Sequence, residues 1–454
     1  MKKYELQPTR DNLIKTLCND TLNRNKDLIC FYKILMNQEE ACTIALDGKW
    51  GSGKTFFVRQ SEIIIDSCNP QSSIEMELRE RVLKQLRLSD NSEEFERSII
   101  SVYYDAWVND NDTEPIFSLI YEITKQISID FSISDNNLFK LAASILSAIS
   151  GYNLNGILET LNSVDPFTLF KKQKNIESDI QSFFTELLAE RGNRLVVFID
   201  ELDRCKPSFA VHLLEQLKHY ISDERITFVF SVNLEQLQHT IKHYYGINFD
   251  SGRYLDRFFD LRVSIPSVDM ENLYNDLGIN NQYYIDIIIR RVIKIFNLEL
   301  REISKFYSQI RIAIKKYLDG NIVIDTTFAD GKGRNFIFLC IVPLLIGLKI
   351  ADNTKYYEFI SGQNSEPLVR LLSMESDFRP FNIMKNSNES FESLPACIHI
   401  TTEELVNRVY DAIFVHAYAS VGEVITLGEC QFSMESKLFA MEVSSMMSNF
   451  ADLS

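Results

Sequence analysis

Residues 43–55, Thr-Ile-Ala-Leu-Asp-Gly-Lys-Trp-Gly-Ser-Gly-Lys-Thr, constrain this chain more than any other stretch. A short β-type run over 43–46 feeds a glycine loop, and Lys54-Thr55 leads into Phe56-Phe57-Val58, the expected start of a helix. From Gly48 the pattern is G-x-x-x-x-G-K-T, a phosphate-binding loop, and it stands between a strand and a helix as that motif requires. Gly48, Gly51 and Gly53 let the backbone turn tightly with no Cβ to hold phosphates away. Successive N–H groups and the helix N-terminus then face an anion. Lys54 is placed to reach the β- and γ-phosphates and Thr55 to put its hydroxyl on Mg²⁺. The alternative is a chance glycine turn.

Four further segments read as strands: 98–104, 194–201, 225–233 and 261–265, the last stopped by Pro266. Residues 194–201, Arg-Leu-Val-Val-Phe-Ile-Asp-Glu, form an uninterrupted apolar run of the kind a parallel strand needs when both faces are covered. Helical patterns lie between, over 54–67, 116–127, 208–221 and 235–245, and one or two helices precede the first strand over 1–40. Strands alternating with helices imply a parallel, right-handed α/β sheet. Ligands of such sheets bind at the carboxyl ends of the strands, where 48–55, Asp105, Asp200, Glu201 and Asn233 all fall.

Asp200 ends its strand as a candidate Mg²⁺ ligand, and Glu201 can orient and deprotonate a water attacking the γ-phosphate. Loop solubility or a salt bridge to Arg204 would also explain the two acids. Asn233 could hydrogen-bond the γ-phosphate or the water, or simply cap the helix beginning near Leu234. Arg257 could donate to a γ-phosphate, or pair with Asp256 or Asp260. His239 and His243 are four apart with no intervening glutamate, which excludes a zinc-protease helix. No N-K-x-D follows the relevant strand, so nothing reads guanine.

Length and balance set the rest. With 454 residues the chain exceeds one ordinary core. The expected division is an α/β domain over 1–270, with a helical insert at 132–175, and a mainly helical domain over 271–454. That second half carries helical patterns over 285–296, 301–318, 336–350 and 403–417. Turns are expected over 319–321 and 330–333, a loop over 386–395, and no strand. Within the insert, 138–149 and 151–164 read as amphipathic helices. Lys+Arg 47 against Asp+Glu 63 gives a net charge of −16, which disfavours non-specific nucleic-acid binding by the whole surface. Eight scattered cysteines with no C-x-x-C fit a reduced, cytoplasmic setting. The N-terminus has no apolar leader core. The most apolar window, 336–348, is shorter than the roughly 20 residues a span requires, so a buried helix is expected there.

Together these segments resemble a known family. Residues 44–55, then Tyr104-Asp-Ala-Trp107, then Val197-Phe-Ile-Asp-Glu-Leu-Asp-Arg-Cys-Lys-Pro207, are similar to the KAP family of phosphate-loop NTPases. So are Phe228-Val-Phe-Ser-Val-Asn-Leu-Glu-Gln-Leu237 and Tyr254-Leu-Asp-Arg-Phe258, and the resemblance covers about 10–270. The tryptophan inside the loop and the I-D-E-L-D-R-C-x-P string are its specific parts. The resemblance implies the additional-strand, catalytic-glutamate class, with sheet order 5-1-4-3-2 and helices on both faces. It implies ATP and Mg²⁺, with the nucleotide on Gly48, Trp50, Gly51, Ser52, Gly53, Lys54, Thr55 and Phe56 and the metal on Thr55 and Asp200. It makes Glu201 the water activator, Asn233 a sensor-like residue and Arg257 an arginine-finger-like residue. Arg301 becomes a second sensor arginine from a helical lid. Many members carry transmembrane helices between the loop and the acidic strand; here 132–175 is too short and too polar to span, as in a soluble member. The family often has Asp at the position of Asn233 and Asn at that of Asp105. Bacterial members are often encoded in anti-phage systems beside separate effectors, which implies a regulatory ATPase, an effector partner and a homo-oligomer if Arg257 acts in trans.

Overall fold

The computed structural model describes residues 7–88, 98–127, 166–221, 223–280, 283–318, 331–373, 401–420, 422–428 and 430–445. The helices expected over 138–149 and 151–164, and the loop expected over 386–395, lie outside the described residues. The chain divides into two compact units, one spanning Gln7–Asn272 and one carrying the residues from Leu273 onward.

The first unit is built on five parallel strands: β1 (Cys42–Asp47), β2 (Ile99–Asp105), β3 (Arg194–Asp200), β4 (Ile226–Val232) and β5 (Leu261–Ser264). Their order is β2-β3-β4-β1-β5, the order the resemblance implied, read from the other edge. Around them lie α1 (Arg10–Asn19), α2 (Asn25–Met36), α3 (Lys54–Cys68), α4 (Met76–Leu86), α5 (Pro115–Gln126), α6 (Pro166–Arg191), α7 (Pro207–Tyr220), α8 (Leu234–Tyr245) and α9 (Ser251–Leu255).

Every residue of β3 and β4 is buried, which explains their largely apolar sequence. Alternation divides their side chains between two cores. Val196 and Phe198 pack with α2, α3 and α4 residues such as Phe31, Phe57 and Val82. Val197 and Ile199 pack with Ile120, Phe184 and Leu214 of α5, α6 and α7. Fully burying a side chain such as Phe198 is worth about 1.5–3 kcal/mol, so the layers hold the strand ends in fixed register. Asp200 then stands directly across from Asp105. The free edge at β2 is blunted locally: the Gln126 amide accepts from Tyr103 N–H (3.1 Å) and donates to Tyr103 O (2.6 Å).

The second unit is mainly helical, with Tyr284–Phe296, Leu300–Leu318, Asn353–Ile360, Glu366–Leu372, Thr402–Tyr410 and Met434–Ser445 among its helices. Two expectations change here. Gly331–Phe336 is helical rather than a turn, and it continues through a π turn at Ile337–Ile341 into Val342–Ala351. The π turn explains how Pro343 is tolerated: Val342 N–H bonds back to Ile337 O just before the residue that has no N–H to give. The helical run Lys332–Ala351 is therefore 20 residues, long and apolar enough to cross a membrane by length and composition. Its apolar window is 67% buried within the protein, as a core helix would be. The second change is a two-stranded antiparallel hairpin, Ile425–Leu427 with Cys430–Phe432, in a half where no strand was expected. Strands of three residues are too short to show alternation.

Candidate nucleotide site

The loop after β1 has the backbone that its glycines allow. Gly51 and Gly53 sit at φ 86° and 88°, left-handed values that cost a glycine nothing. Gly48 is required for a different reason: a Cβ there would stand 2.5 Å from Ile265 Cγ2 and 2.9 Å from Ser52 Oγ. Gly48 N–H donates to Val232 O (3.1 Å), which ties the loop to the end of β4. Ser52 Oγ is buried with no hydrogen-bond partner. A buried hydroxyl at the head of a helix, beside first-turn N–H groups that have no partner within that helix, fits an anion's oxygens. Phe56 is buried in the first turn of α3. Arg24, at the start of α2, donates through Nη2 to Ser52 O (3.1 Å) and so braces the loop from outside.

Lys54 is buried, and its ammonium donates to Gly48 O (2.6 Å) and Lys49 O (3.1 Å). Burial pulls its pKa below the ordinary lysine value, while Asp203, Asp200 and Glu201 oppose that shift. Three carboxylates thus act on one buried ammonium.

Thr55 Oγ1 donates to Asp200 Oδ2 at 2.7 Å, so the two expected metal-side residues are in direct contact. Asp200 is 1% exposed; Oδ2 also accepts from Tyr103 OH (3.0 Å) and Oδ1 from Glu201 N–H (3.0 Å). Tyr103 gave no signal in the sequence beyond a strand aromatic. Burial and the adjacent Asp200 raise its phenol pKa, which keeps it a donor. A hydroxyl and a buried carboxylate at one strand end are a donor set that suits Mg²⁺.

Glu201 follows at φ 62°, one of the few non-glycine residues in the left-handed region. Such a residue is uncommon and marks strain held by its surroundings. Burial, with Asp200, Asp203 and Asp105 nearby, raises its pKa to about 7, while Arg204 opposes the shift. Glu201 and Arg204 form an ion pair, the alternative the sequence offered for these acids. Asp203, also buried, accepts from Trp50 Nε1 (2.6 Å). Burial raises the Asp203 pKa and the Trp50 hydrogen bond lowers it. Asp105 has its pKa raised by burial and caps its own turn through Val108 N–H (3.1 Å).

The remaining candidates are Asn233, Arg257 and Arg301. Asn233 Oδ1 accepts from Gln236 N–H (3.3 Å), the capping alternative, and Asp47 Oδ1 takes Leu234 N–H (2.9 Å) beside it. Arg257 is exposed and lines a cavity of about 150 Å³ with Ala41, Cys42, Thr43 and Ile226. Those residues begin β1 and β4, so Arg257 stands at the opposite end of the sheet from the loop that follows β1. It pairs with neither Asp256 nor Asp260 among the described ion pairs; Asp256 pairs with Arg262 instead. Arg257 is thus set apart from the loop that follows its own β1. Arg301 belongs to the second unit, exposed in the first turn of Leu300–Leu318.

A family model described as the KAP family P-loop domain matches residues 10–313. The chain belongs to that family. An uncharacterized protein of Methanocaldococcus jannaschii is 37% identical over 79 residues, 17% of this chain and 38% of that protein. The chain thus matches well under half the length of this curated relative. The solved structure of the Aeropyrum pernix ORC2 protein (ADPNP–ADP complexes) aligns over 86% of this chain and 94% of its own, at 12% identity and a TM-score of 0.34, a loose likeness. KAP membership and the loop geometry together make the Gln7–Asn272 unit a nucleotide-binding P-loop NTPase domain.

Proposed function

We propose that this KAP domain binds Mg²⁺-ATP and hydrolyses it, and that the nucleotide state of the domain regulates a separate effector protein. The observation that carries the reading is the joining of Thr55, Asp200 and Glu201 at one end of the sheet beside Lys54. The loop residues Gly48, Trp50, Gly51, Ser52, Gly53, Lys54, Thr55 and Phe56 are assigned to the triphosphate, and Thr55 and Asp200 to Mg²⁺. A Mg²⁺ held by Thr55 and Asp200 would supply positive charge to neutralise the phosphates. Lys54 adds a positive charge there, and the first-turn N–H groups bind oxygens. Glu201 accepts a proton from the attacking water, a contribution of typically 10²–10⁴-fold in rate.

Arg257 is assigned to a neighbouring copy's γ-phosphate, which makes the working form a homo-oligomer. Asn233 is assigned to α8 capping first, and to sensing only if its amide turns once nucleotide is bound. Arg301 is assigned to a lid contact on the nucleotide. A cytoplasmic ATPase serving anti-phage defence is what the KAP resemblance supports for the wider role, with a partner to be found by pull-down from the native host.

A second reading has its own observation. Glu201 is held by Arg204, and Lys54 is folded onto the loop's carbonyls. A domain poised in that way could hold ATP and turn it over slowly, as a switch. Phosphate release separates the two: Glu201→Gln abolishes turnover and keeps nucleotide in the first reading. In the second, wild type and Glu201→Gln release phosphate at the same slow rate, and Lys54→Ala alone removes nucleotide and partner recruitment.

A further inference from the structure

The chain has two tryptophans, and both stand at one guanidinium. Trp50 lies in the phosphate loop, Trp107 follows β2, and Arg204 ends the 3₁₀ turn Leu202–Arg204 after β3. Arg204 Cζ is 5.8 Å from the Trp50 ring centroid and 5.7 Å from that of Trp107. A cation within about 6 Å of an indole is attracted by the ring's quadrupole. The same guanidinium pairs with Glu201. The side chains of Arg204 and Glu201 are 21% and 16% exposed, so this is no solvated surface pair of negligible worth. Arginine suits the place because its planar fork can pair with a carboxylate while lying near aromatic rings, which an ammonium cannot do as well.

The arrangement also reaches the loop. Trp50 is tied to buried Asp203, the residue before Arg204. Lys54 Nζ rests on the carbonyls of Gly48 and Lys49, immediately before Trp50. An ammonium that turns toward a phosphate must leave those carbonyls, so filling the loop bears on Trp50.

We propose that Arg204 is a positioning residue for ATP hydrolysis: it fixes the Glu201 carboxylate, is itself fixed by Trp50 and Trp107, and so connects loop occupancy to the base. The proposal rests on the assignment of Glu201 as the base made above.

The test is phosphate release with Mg²⁺-ATP, with nucleotide affinity read by calorimetry using a non-hydrolysable ATP analogue. Arg204→Ala lowers kcat tenfold or more and leaves Kd within threefold. Arg204→Lys recovers only part of the loss. Trp107→Phe lowers kcat a few-fold in the wild-type background and adds nothing to Arg204→Ala, because residues that act as one unit are not additive. An Arg204→Ala kcat within twofold of wild type overturns the proposal. So does an increase in kcat, or a Trp107→Phe loss of equal size in both backgrounds.

If wild-type protein does not turn over, the hydrolysis reading has failed and emission decides the coupling. In Trp107→Phe, Trp50 is the single indole, and Mg²⁺-ATP changes its emission. Adding Arg204→Ala removes at least half of that change; an undiminished response overturns the proposal.

Discussion

Glu201 carries two burdens at once, a left-handed backbone and a carboxylate whose pKa burial raises to about 7. The backbone conformation is worth roughly 1–2 kcal/mol of strain for a residue with a Cβ. Glu201→Gly and Glu201→Ala both lose the carboxylate and its pairing with Arg204, so the difference between them isolates that strain. Urea unfolding of the two variants should show the glycine variant more stable by about 1 kcal/mol, even though glycine ordinarily destabilises. An alanine variant as stable as the glycine variant would mean that the left-handed turn is absent. At this scale the sequence showed residue types but not their meetings. Glu201, Asp200, Lys54 and Thr55 were legible because a loop motif and an acidic strand end have fixed places in a parallel sheet. Tyr103, Arg24 and the convergence of Trp50 and Trp107 on Arg204 were not, because no spacing along the chain encodes a contact between three strand ends. Arg257 was named from its motif, yet the position of that motif at the amino end of β1 became visible only in three dimensions.

The elements divide by how completely they are buried. β3 and β4 were legible because burial on both faces leaves mostly apolar side chains, with polar ones at Arg194, Asp200, Thr227 and Ser231. The short hairpin Ile425–Leu427 and Cys430–Phe432 was not, and of the turn expected at 330–333 the described residues from Gly331 on are helical, with Gly333 so near the hairpin that a Cβ would lie 2.1 Å from Gln431 O. Helix α3 carries its own pH dependence. Burial raises the Glu62 pKa from 4.5 to about 7, with Arg59 opposing at 2.7 Å. The folded pKa is above the unfolded one, so the protonated form is favoured in the folded state. That stabilising contribution is full below about pH 4.5 and is lost as pH rises through 7. The whole shift is at most on the order of 3 kcal/mol. Thermal melts at pH 5 and pH 8 should therefore show Glu62→Gln gaining stability relative to wild type at pH 8 and gaining little at pH 5. A larger gain at pH 5 would reverse the sign and contradict the burial of that carboxylate.

At the scale of the molecule, the chain divides into an α/β unit and a mainly helical unit, and the phosphate loop, Asp200 and Glu201 all belong to the former. Arg257 stands at the far end of its own sheet, and the role proposed for it lies between copies. Specific phosphate release should then rise with protein concentration, and Arg257→Ala should lose that rise while keeping nucleotide affinity; light scattering with and without ATP gives the oligomeric state alongside. Concentration-independent turnover, unchanged in Arg257→Ala, would remove Arg257 from the account. The central claim is that the loop and the acidic strand end form one hydrolytic site. Its most direct measurement is phosphate release from Mg²⁺-ATP by wild type and Glu201→Gln, with bound nucleotide quantified in both. Turnover in the wild type, a loss of about 10²-fold or more in the variant and equal nucleotide binding are expected. Equal turnover in the two proteins would contradict the claim.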